Sequence, residues 1–393
     1  MTLDPKTLTR NWNYPTSVRF GVGRIAELPA VCTELGMKRP LLVTDPGLRK
    51  LPMIEGALAG MKRAGLGEAV FSDIQPNPVG RNVEDGVASY KANRCDGVIA
   101  FGGGSALDVG KTIALMVGQT RPVWDFEDRE DWYTRVNVSG MARTIAVPTT
   151  AGTGSEVGRA SVILDEATHI KKIIFHPKML PVVVISDPEL TVGLPPRITA
   201  ATGMDALAHN LEAYCAPGFH PLADGIAVEA MRLIREWLPQ AVSDGRNLVA
   251  RAHMLAAASM GATAFQKGLG AIHSLSHPVG ALYNTHHGET NGVVMPYVLL
   301  FNRPAIEEKL TRLARYLGLQ NPGFASVLEW VLRLREQIGI PHTLAGLGVK
   351  ETDLDTLAPM AVDDPSTGGN PRPAGLAEMR QMFVKAIRGD LSG

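Results

Sequence analysis

Two kinds of hydrophobic pattern divide the chain near residue 190. Before that point, short apolar, β-branched runs alternate with longer segments in which apolar residues recur at helical spacing. The predicted strands are 40–44, 68–71, 97–101 and 144–147. The predicted helices are 50–64, 82–93 and one that begins at 105. Such alternation is typical of βαβ units, so we expect a mostly parallel sheet covered by helices.

The pattern changes after the pair Pro195-Pro196. Long stretches rich in Ala, Leu and Met follow at helical period, for example 223–237 and 247–268, with almost no β-branched runs. We therefore predict an α/β domain over 1–195 and an all-helical domain over 196–393. The Asn-Pro and Gly-Gly steps within 363–373 predict a loop there.

Composition limits the class of partner. The 393 residues include 39 basic and 39 acidic side chains, so no net field attracts nucleic acid or anionic lipid, and a small molecule is the better ligand. The apolar stretches are too short for a membrane helix. The three cysteines are widely spread without metal-binding spacing, and no secretory signal is visible at the N-terminus, so we expect a cytoplasmic protein.

A glycine run follows the strand predicted at 97–101. Gly102, Gly103, Gly104 and Ser105 lead directly into a helical pattern, and a strand, glycine turn and helix start together predict a phosphate site. The run fits neither the P-loop spacing nor the GxGxxG fingerprint, and a plain tight turn remains the alternative.

Two further segments suit a nucleotide. Residues 148–155 follow another strand and offer hydroxyls and flexible backbone for a phosphate or ribose, with a solvated loop as the alternative. Asp45 ends the strand at 40–44, where a carboxylate can accept hydrogen bonds from a ribose 2′-hydroxyl and would repel the extra phosphate of NADP. By itself, this position is also compatible with a simple turn.

The densest chemistry lies at 270–288, which holds four of the ten histidines: His273, His277, His286 and His287. A fifth, His209, follows Asp205 by four residues, so a helix would place both on one face. A carboxylate with several imidazoles suits Fe²⁺ or Zn²⁺, whereas an isolated Asp–His pair would more often be a surface pair. The candidates exceed one coordination shell, and the spacing leaves open which histidine relays a proton instead.

Taken together, these segments resemble the iron-containing (group III) alcohol dehydrogenases, whose fold is shared by glycerol dehydrogenase and dehydroquinate synthase. The resemblance covers nearly the whole chain and rests on 102–111, 148–156, 187–190, 201–209 and 273–288. It implies metal ligands at Asp205, His209, His273 and His287, with His277 near the nicotinamide. It implies dinucleotide contacts at Asp45, Asn77, Gly103, Gly104, Ser105, Asp108, Thr149, Thr150, Thr153 and Lys171.

The resemblance also implies an activity. We expect an NAD-dependent enzyme with Fe²⁺, or Zn²⁺, that transfers a hydride between nicotinamide and a small primary alcohol or a hydroxy acid such as 4-hydroxybutyrate. His277 is the expected proton relay, Asp45 favours NAD over NADP, and the family implies a homodimer. One departure is His286, which stands where family members often carry proline or another non-ligand.

Two other classes of function stay open. A lyase like dehydroquinate synthase also uses NAD and a metal, but it needs a pocket rich in Lys and Arg, and the segment 265–283 offers only Lys267. A metal- and NADH-binding protein without turnover would retain the same motifs.

Overall fold

The structure is a computed structural model that describes residues 4, 6, 10–12, 15–168 and 170–392. Most of the N-terminal segment used above to judge a secretory signal lies outside the described residues. The chain divides into two compact units, one formed by Met1–Thr150 with Gly154–Gly193 and the other by Ala151–Thr153 with Leu194–Gly393. No helix in the described part combines the length and hydrophobicity needed to cross a membrane.

The first unit is built on a sheet that has seven strands within the described residues, in the order β1-β2-β9-β6-β5-β3-β4. Neighbouring strands are parallel except for the antiparallel pair β1–β2. Strands β7 and β8 form a separate antiparallel hairpin. The strands are β1 (Arg10–Trp12), β2 (Ser17–Phe20), β3 (Pro40–Val43), β4 (Ala69–Phe71), β5 (Gly97–Gly102), β6 (Thr144–Pro148), β7 (Ala160–Asp165), β8 (Ile170–Phe175) and β9 (Val183–Ser186).

Helices cover both faces of this sheet because its central strands are apolar on both sides. Within β3, Leu41 and Val43 belong to one buried cluster, which also contains Ile113, whereas Leu42 belongs to a second cluster with Ile54. The alternation of side chains along a strand thus supplies two cores. The helices of this unit are α1 (Leu28–Glu34), α2 (Pro52–Arg63), α3 (Gly80–Ala92) and α4 (Gly104–Met116).

The second unit is helical. Its first helix is buried along nearly its whole length, which explains why it shows no amphipathic stripe. The helices are α5 (Pro196–Cys215), α6 (Pro221–Ser243), α7 (Leu248–Ala264), α8 (Ala271–Tyr283), α9 (His287–Tyr316), α10 (Phe324–Gln337), α11 (Leu354–Asp363) and α12 (Leu376–Arg388).

The structure confirms the predicted fold class, a mostly parallel α/β sheet followed by helices. The hairpin β7–β8 was missed, because its alternation is short and half-exposed. The segment 363–373 is not entirely a loop: a 3-10 helix spans Pro365–Gly369, and the Asp364 carboxylate caps it by accepting the N–H of Ser366. A proline at the first position and an Asp cap favour such a turn despite the glycines.

Candidate functional site

The glycine turn after β5 has the geometry of an anion site. Gly102 has φ of +155°, and a Cβ there would lie 2.7 Å from the Cβ of Ala106, so this position requires glycine. Gly103 caps α4 without any side-chain hydrogen bond, and α4 begins at Gly104. The first N–H groups of a helix and the positive end of its dipole lie at such a turn, which favours a bound phosphate.

Two predicted nucleotide residues lie around this turn. The hydroxyl of Ser105 donates to the carbonyl oxygen of Pro76 at 2.5 Å, which links the start of α4 to the segment that carries Asn77. Asp45 follows β3 and accepts the N–H groups of Gly47 and Leu48 through Oδ1, both at 2.9 Å. Asp45 therefore forms the turn that the sequence also allowed. Its Oδ2 lies 3.7 Å from the position of a Cβ on Gly102, beside the glycine turn.

Asp108, a predicted cofactor contact, is held by several hydrogen bonds within the first unit. Its Oδ1 accepts the hydroxyl of Ser155 at 2.5 Å, its Oδ2 accepts the N–H of Val162 at 2.8 Å, and the buried ammonium of Lys111 lies 3.3 Å from Oδ1. Lys111 also donates to the carbonyl of Ala160. Burial lowers the pKa of Lys111, and Asp108 partly opposes that shift. The Asp108 carboxylate thus connects α4 to the Ser155 turn and to β7.

The remaining predicted nucleotide residues divide between the units. Thr149 is buried and donates its N–H to the carbonyl of Gly102 at 3.0 Å, and Thr150 lies beside Gly103. Lys171 lies on β8, also in the first unit, whereas Thr153 belongs to the second unit. Their contacts to a nucleotide stay a prediction.

The predicted metal ligands of the second unit converge on one carboxylate oxygen. Ligand atoms of Asp205, His273 and His287 all lie within 4.8 Å of one another, whereas His209 is not part of this group. From Oδ1 of Asp205, the distances to Nε2 are 3.5 Å for His287, 3.8 Å for His209 and 4.0 Å for His273. The rings of His209 and His273 are stacked, with centroids 4.8 Å apart. Three helices, α5, α8 and α9, supply these side chains.

Close packing of α9 against α5 brings His287 to Asp205. Gly288 is the second residue of α9, and a Cβ there would lie 2.1 Å from the carbonyl oxygen of Ala201 and 2.9 Å from the Cβ of Asp205. Only glycine lets the two backbones approach this closely.

The composition of this cluster fits a divalent cation. Asn291, one turn after His287 on α9, directs its Nδ2 at Oδ1 of Asp205 (2.9 Å) and at Nε2 of His287 (3.2 Å) and His273 (3.4 Å). An amide has two N–H groups for these three acceptors, and the Nε2 of His209 adds a fourth acceptor to the cluster. A buried group of acceptors that exceeds its donors is stabilised by a cation, and carboxylate with imidazole suits Fe²⁺ or Zn²⁺.

The electrostatics differ between two of the proposed ligand histidines, His209 and His273. Burial lowers the pKa of His209 to about 4, so its imidazole is neutral near pH 7. Its Nδ1 is buried near the backbone of Gly152 without a hydrogen bond of normal geometry. Burial also lowers the pKa of His273, but the carboxylates of Glu212, Asp205 and Asp364 outweigh burial, so the net shift of this pKa is upward and a cation at His273 competes with a proton. Neutral imidazole is the ligand form of histidine.

The other two histidines have different surroundings. His277 directs Nδ1 at Oδ2 of Asp364, 2.7 Å away, and its ring is stacked on that of His287 at 5.2 Å. Burial raises the pKa of Asp364, but the adjacent His277 lowers it, and the net shift is downward. His286 is not part of the group whose ligand atoms lie within 4.8 Å of one another. Its Nδ1 is buried and has no hydrogen-bond partner among the described residues.

Sequence reasoning missed three polar residues of this site: Glu212, Asn291 and Asp364. The helical spacing of α5 could have identified Glu212, because it lies on the same face as Asp205 and His209. Asn291 follows His287 by four residues and has the same kind of signal. Asp364 has none, since 87 residues separate it from His277.

Comparisons with known proteins identify the family of this chain. Residues 15–188 match the family model described as iron-containing alcohol dehydrogenase, and residues 199–387 match the model for the C-terminal part of that family. The 4-hydroxybutyrate dehydrogenase of Cupriavidus necator is 39% identical, with 95% of this chain and 99% of that protein covered. The NAD-dependent methanol dehydrogenase of Bacillus methanolicus is 37% identical, with 96% and 100% covered.

Solved structures give the same result. The crystal structure of a 1,3-propanediol oxidoreductase superimposes with a TM-score of 0.90 at 37% identity, with 96% of this chain and 99% of that chain covered. The two family models together cover most of the chain, and the relatives are oxidoreductases similar over their full length. The chain therefore belongs to the iron-containing alcohol dehydrogenase family and is an oxidoreductase.

Proposed function

We propose that this enzyme is an NAD-dependent, divalent-metal-dependent alcohol dehydrogenase, or in reverse an aldehyde reductase, that acts on a small primary alcohol or a hydroxy acid such as 4-hydroxybutyrate. The observation that carries the proposal is the convergence of three histidine Nε2 atoms on one oxygen of Asp205. The 39% identity to a 4-hydroxybutyrate dehydrogenase supports the substrate class.

Separate sets of residues would hold the metal and the NAD. Asp205, His209, His273 and His287 would hold the metal, and the glycine turn at 102–104 with Asp45 would hold NAD. When bound, the ion supplies a Lewis acid that lowers the pKa of an alcohol hydroxyl, and NAD supplies the hydride acceptor. We propose Fe²⁺ as the native ion, although Zn²⁺ binds such donors more tightly, and we propose a homodimer.

His277 is the proposed proton acceptor. Its Nδ1 lies 2.7 Å from the Asp364 carboxylate, so the ring proton is held at Nδ1 and the lone pair of Nε2 is available. Asp364 is itself held by the N–H of Ser366 at 2.9 Å. In this pairing, the Asp364 carboxylate orients the imidazole to take the alcohol proton and stabilises the imidazolium that forms. The aspartate of a Ser-His-Asp triad acts on its histidine in the same way.

The test is NADH oxidation by protein loaded with Fe²⁺ under anaerobic conditions. The substrates are propanal, lactaldehyde, glyoxal and succinic semialdehyde, each with a chelated control. We expect turnover that disappears with the metal, and the largest kcat/KM with succinic semialdehyde would support the 4-hydroxybutyrate assignment. Turnover that survives chelation would refute the metal dependence. Bound metal and NADH without turnover would favour the lyase or the non-catalytic binding protein.

A further inference from the structure

Glu212 lies behind the proposed metal centre and is not one of the proposed ligands. It follows His209 by three residues on α5, and it is only 6% exposed. A buried carboxylate is costly unless hydrogen bonds compensate it. Both of its oxygens have such a bond: Oε2 is 2.6 Å from Nδ1 of His273, and Oε1 accepts the N–H of Ile272 at 2.6 Å.

Both contacts lie at the N-terminus of α8. The helix begins at Ala271, and its cap residue, Gly270, supplies no side-chain acceptor. The N–H of Ala271 donates to Oδ1 of Asn370 at 3.1 Å, so Asn370 and Glu212 together accept two N–H groups of the first turn that have no acceptor within the helix. A Cβ on Gly270 would lie 2.8 Å from Oδ1 of Asn370 and 3.2 Å from Oε1 of Glu212, which shows how tightly this junction is packed.

The contact with His273 determines which ring nitrogen carries the proton. A carboxylate oxygen can only accept, so Nδ1 of His273 must be the donor. The proton then resides on Nδ1, and the lone pair of Nε2 points to the cluster that contains Oδ1 of Asp205, 4.0 Å away. This is the tautomer that binds a metal, and a carboxylate behind a ligand histidine typically increases metal affinity by 10- to 100-fold.

We propose that Glu212 is a positioning residue that fixes His273 in its metal-binding tautomer and orientation, and thereby sets the affinity of the centre for its divalent ion. The inference rests on the proposed function, because it requires a metal centre at His273. It goes further because it assigns two separate effects to one side chain. Oε1 caps helix α8, and Oε2 fixes the tautomer of His273.

The substitution Glu212→Gln separates these effects. The two donors at Ile272 and His273 need two acceptors, and a glutamine amide offers one oxygen and an NH₂ group. If the oxygen keeps the cap, the NH₂ group faces Nδ1 of His273, and the ring responds by moving its proton to Nε2. The matched control is Asn370→Ala, which removes the other cap of the same helix without touching His273.

Metal affinity is the first measurement, made on the full-length protein by competition between Zn²⁺ or Co²⁺ and a chelator. We expect the Kd of Glu212→Gln to rise by about 10- to 100-fold. Asn370→Ala should lower the melting temperature of the metal-free protein but leave the Kd within about threefold of wild type. Wild-type affinity in Glu212→Gln would overturn the inference and leave the proposed function standing. A wild-type protein that binds no divalent ion would refute the proposed function itself.

Ring ¹⁵N spectra of histidine-labelled, metal-free protein provide a second test, and its wild-type measurement does not depend on whether Glu212→Gln folds. The signal of His273 is identified by its loss in His273→Asn. At alkaline pH, where the His273 ring is neutral, we expect protonated Nδ1 and unprotonated Nε2 in the wild type, and the reverse in Glu212→Gln. A wild-type His273 with its proton on Nε2 would overturn the inference.

Discussion

Replacing Gly288 by alanine tests whether the contact between α9 and α5 sets the metal site. The new Cβ would lie 2.1 Å from the carbonyl oxygen of Ala201. Contacts below 3.0 Å essentially do not occur, so the two helices must separate by at least 0.9 Å, the difference between 3.0 Å and 2.1 Å. Backbone atoms on both sides cannot rotate away as a flexible side chain can. Overpacking of this kind typically costs about 1–3 kcal/mol.

The same displacement moves His287, the residue before Gly288, away from Asp205. A metal site tolerates deviations of about 0.2 Å in its ligand distances, so a shift of 0.9 Å should weaken binding by at least about tenfold. The control is Gly225→Ala in α6, where a Cβ meets no atom within 4 Å. That substitution should raise stability by about 0.5–1 kcal/mol, because alanine favours a helix.

The assay has two readouts, thermal unfolding of the metal-free protein and the Kd for Zn²⁺ from chelator competition. We expect Gly288→Ala to lower both stability and affinity, and Gly225→Ala to leave affinity unchanged. A Gly288→Ala protein with the wild-type Kd would show that the close approach of α9 to α5 does not determine the position of His287.

Three further predictions concern other parts of the site. Asp364→Asn should lower kcat at least tenfold, because the amide cannot accept hydrogen bonds from both His277 and Ser366. Metal content and the KM for NADH should not change, and an unchanged kcat would contradict the role of Asp364. Asp45→Ser should reduce the ratio of kcat/KM with NAD to kcat/KM with NADP by about tenfold, because the carboxylate no longer repels the 2′-phosphate of NADP. An unchanged ratio would show that Asp45 only stabilises its turn. The pKa of His209 is lowered to about 4, so between pH 6.5 and pH 4 the unfolded chain binds a proton at this residue and the folded chain does not. The free energy of unfolding of the metal-free protein should therefore fall by up to about 3 kcal/mol as the pH falls through this range. Denaturant titrations should show a shallower fall in His209→Asn, and an identical pH dependence would refute the assigned shift.

The sequence by itself determined the fold class and the chemical types at the site. Local periodicity predicted the central strands and the change to helices, because hydrophobic spacing reflects each element's own geometry. The same local geometry placed Asp205 and His209 on one face of a helix. The resemblance then selected His273 and His287 from a histidine-rich segment, and the structure places both near Asp205.

Only the tertiary structure decided how these groups are held. Glu212 and His273 are 61 residues apart, and Asp364 and His277 are 87 residues apart. No spacing rule connects such pairs, since their contact depends on how whole helices pack. The same holds for Asp108, whose two oxygens accept the hydroxyl of Ser155 and the N–H of Val162, while its contact with a cofactor stays a prediction. Local pattern determines which side chains share a face, whereas the partner of each buried polar group depends on long-range packing.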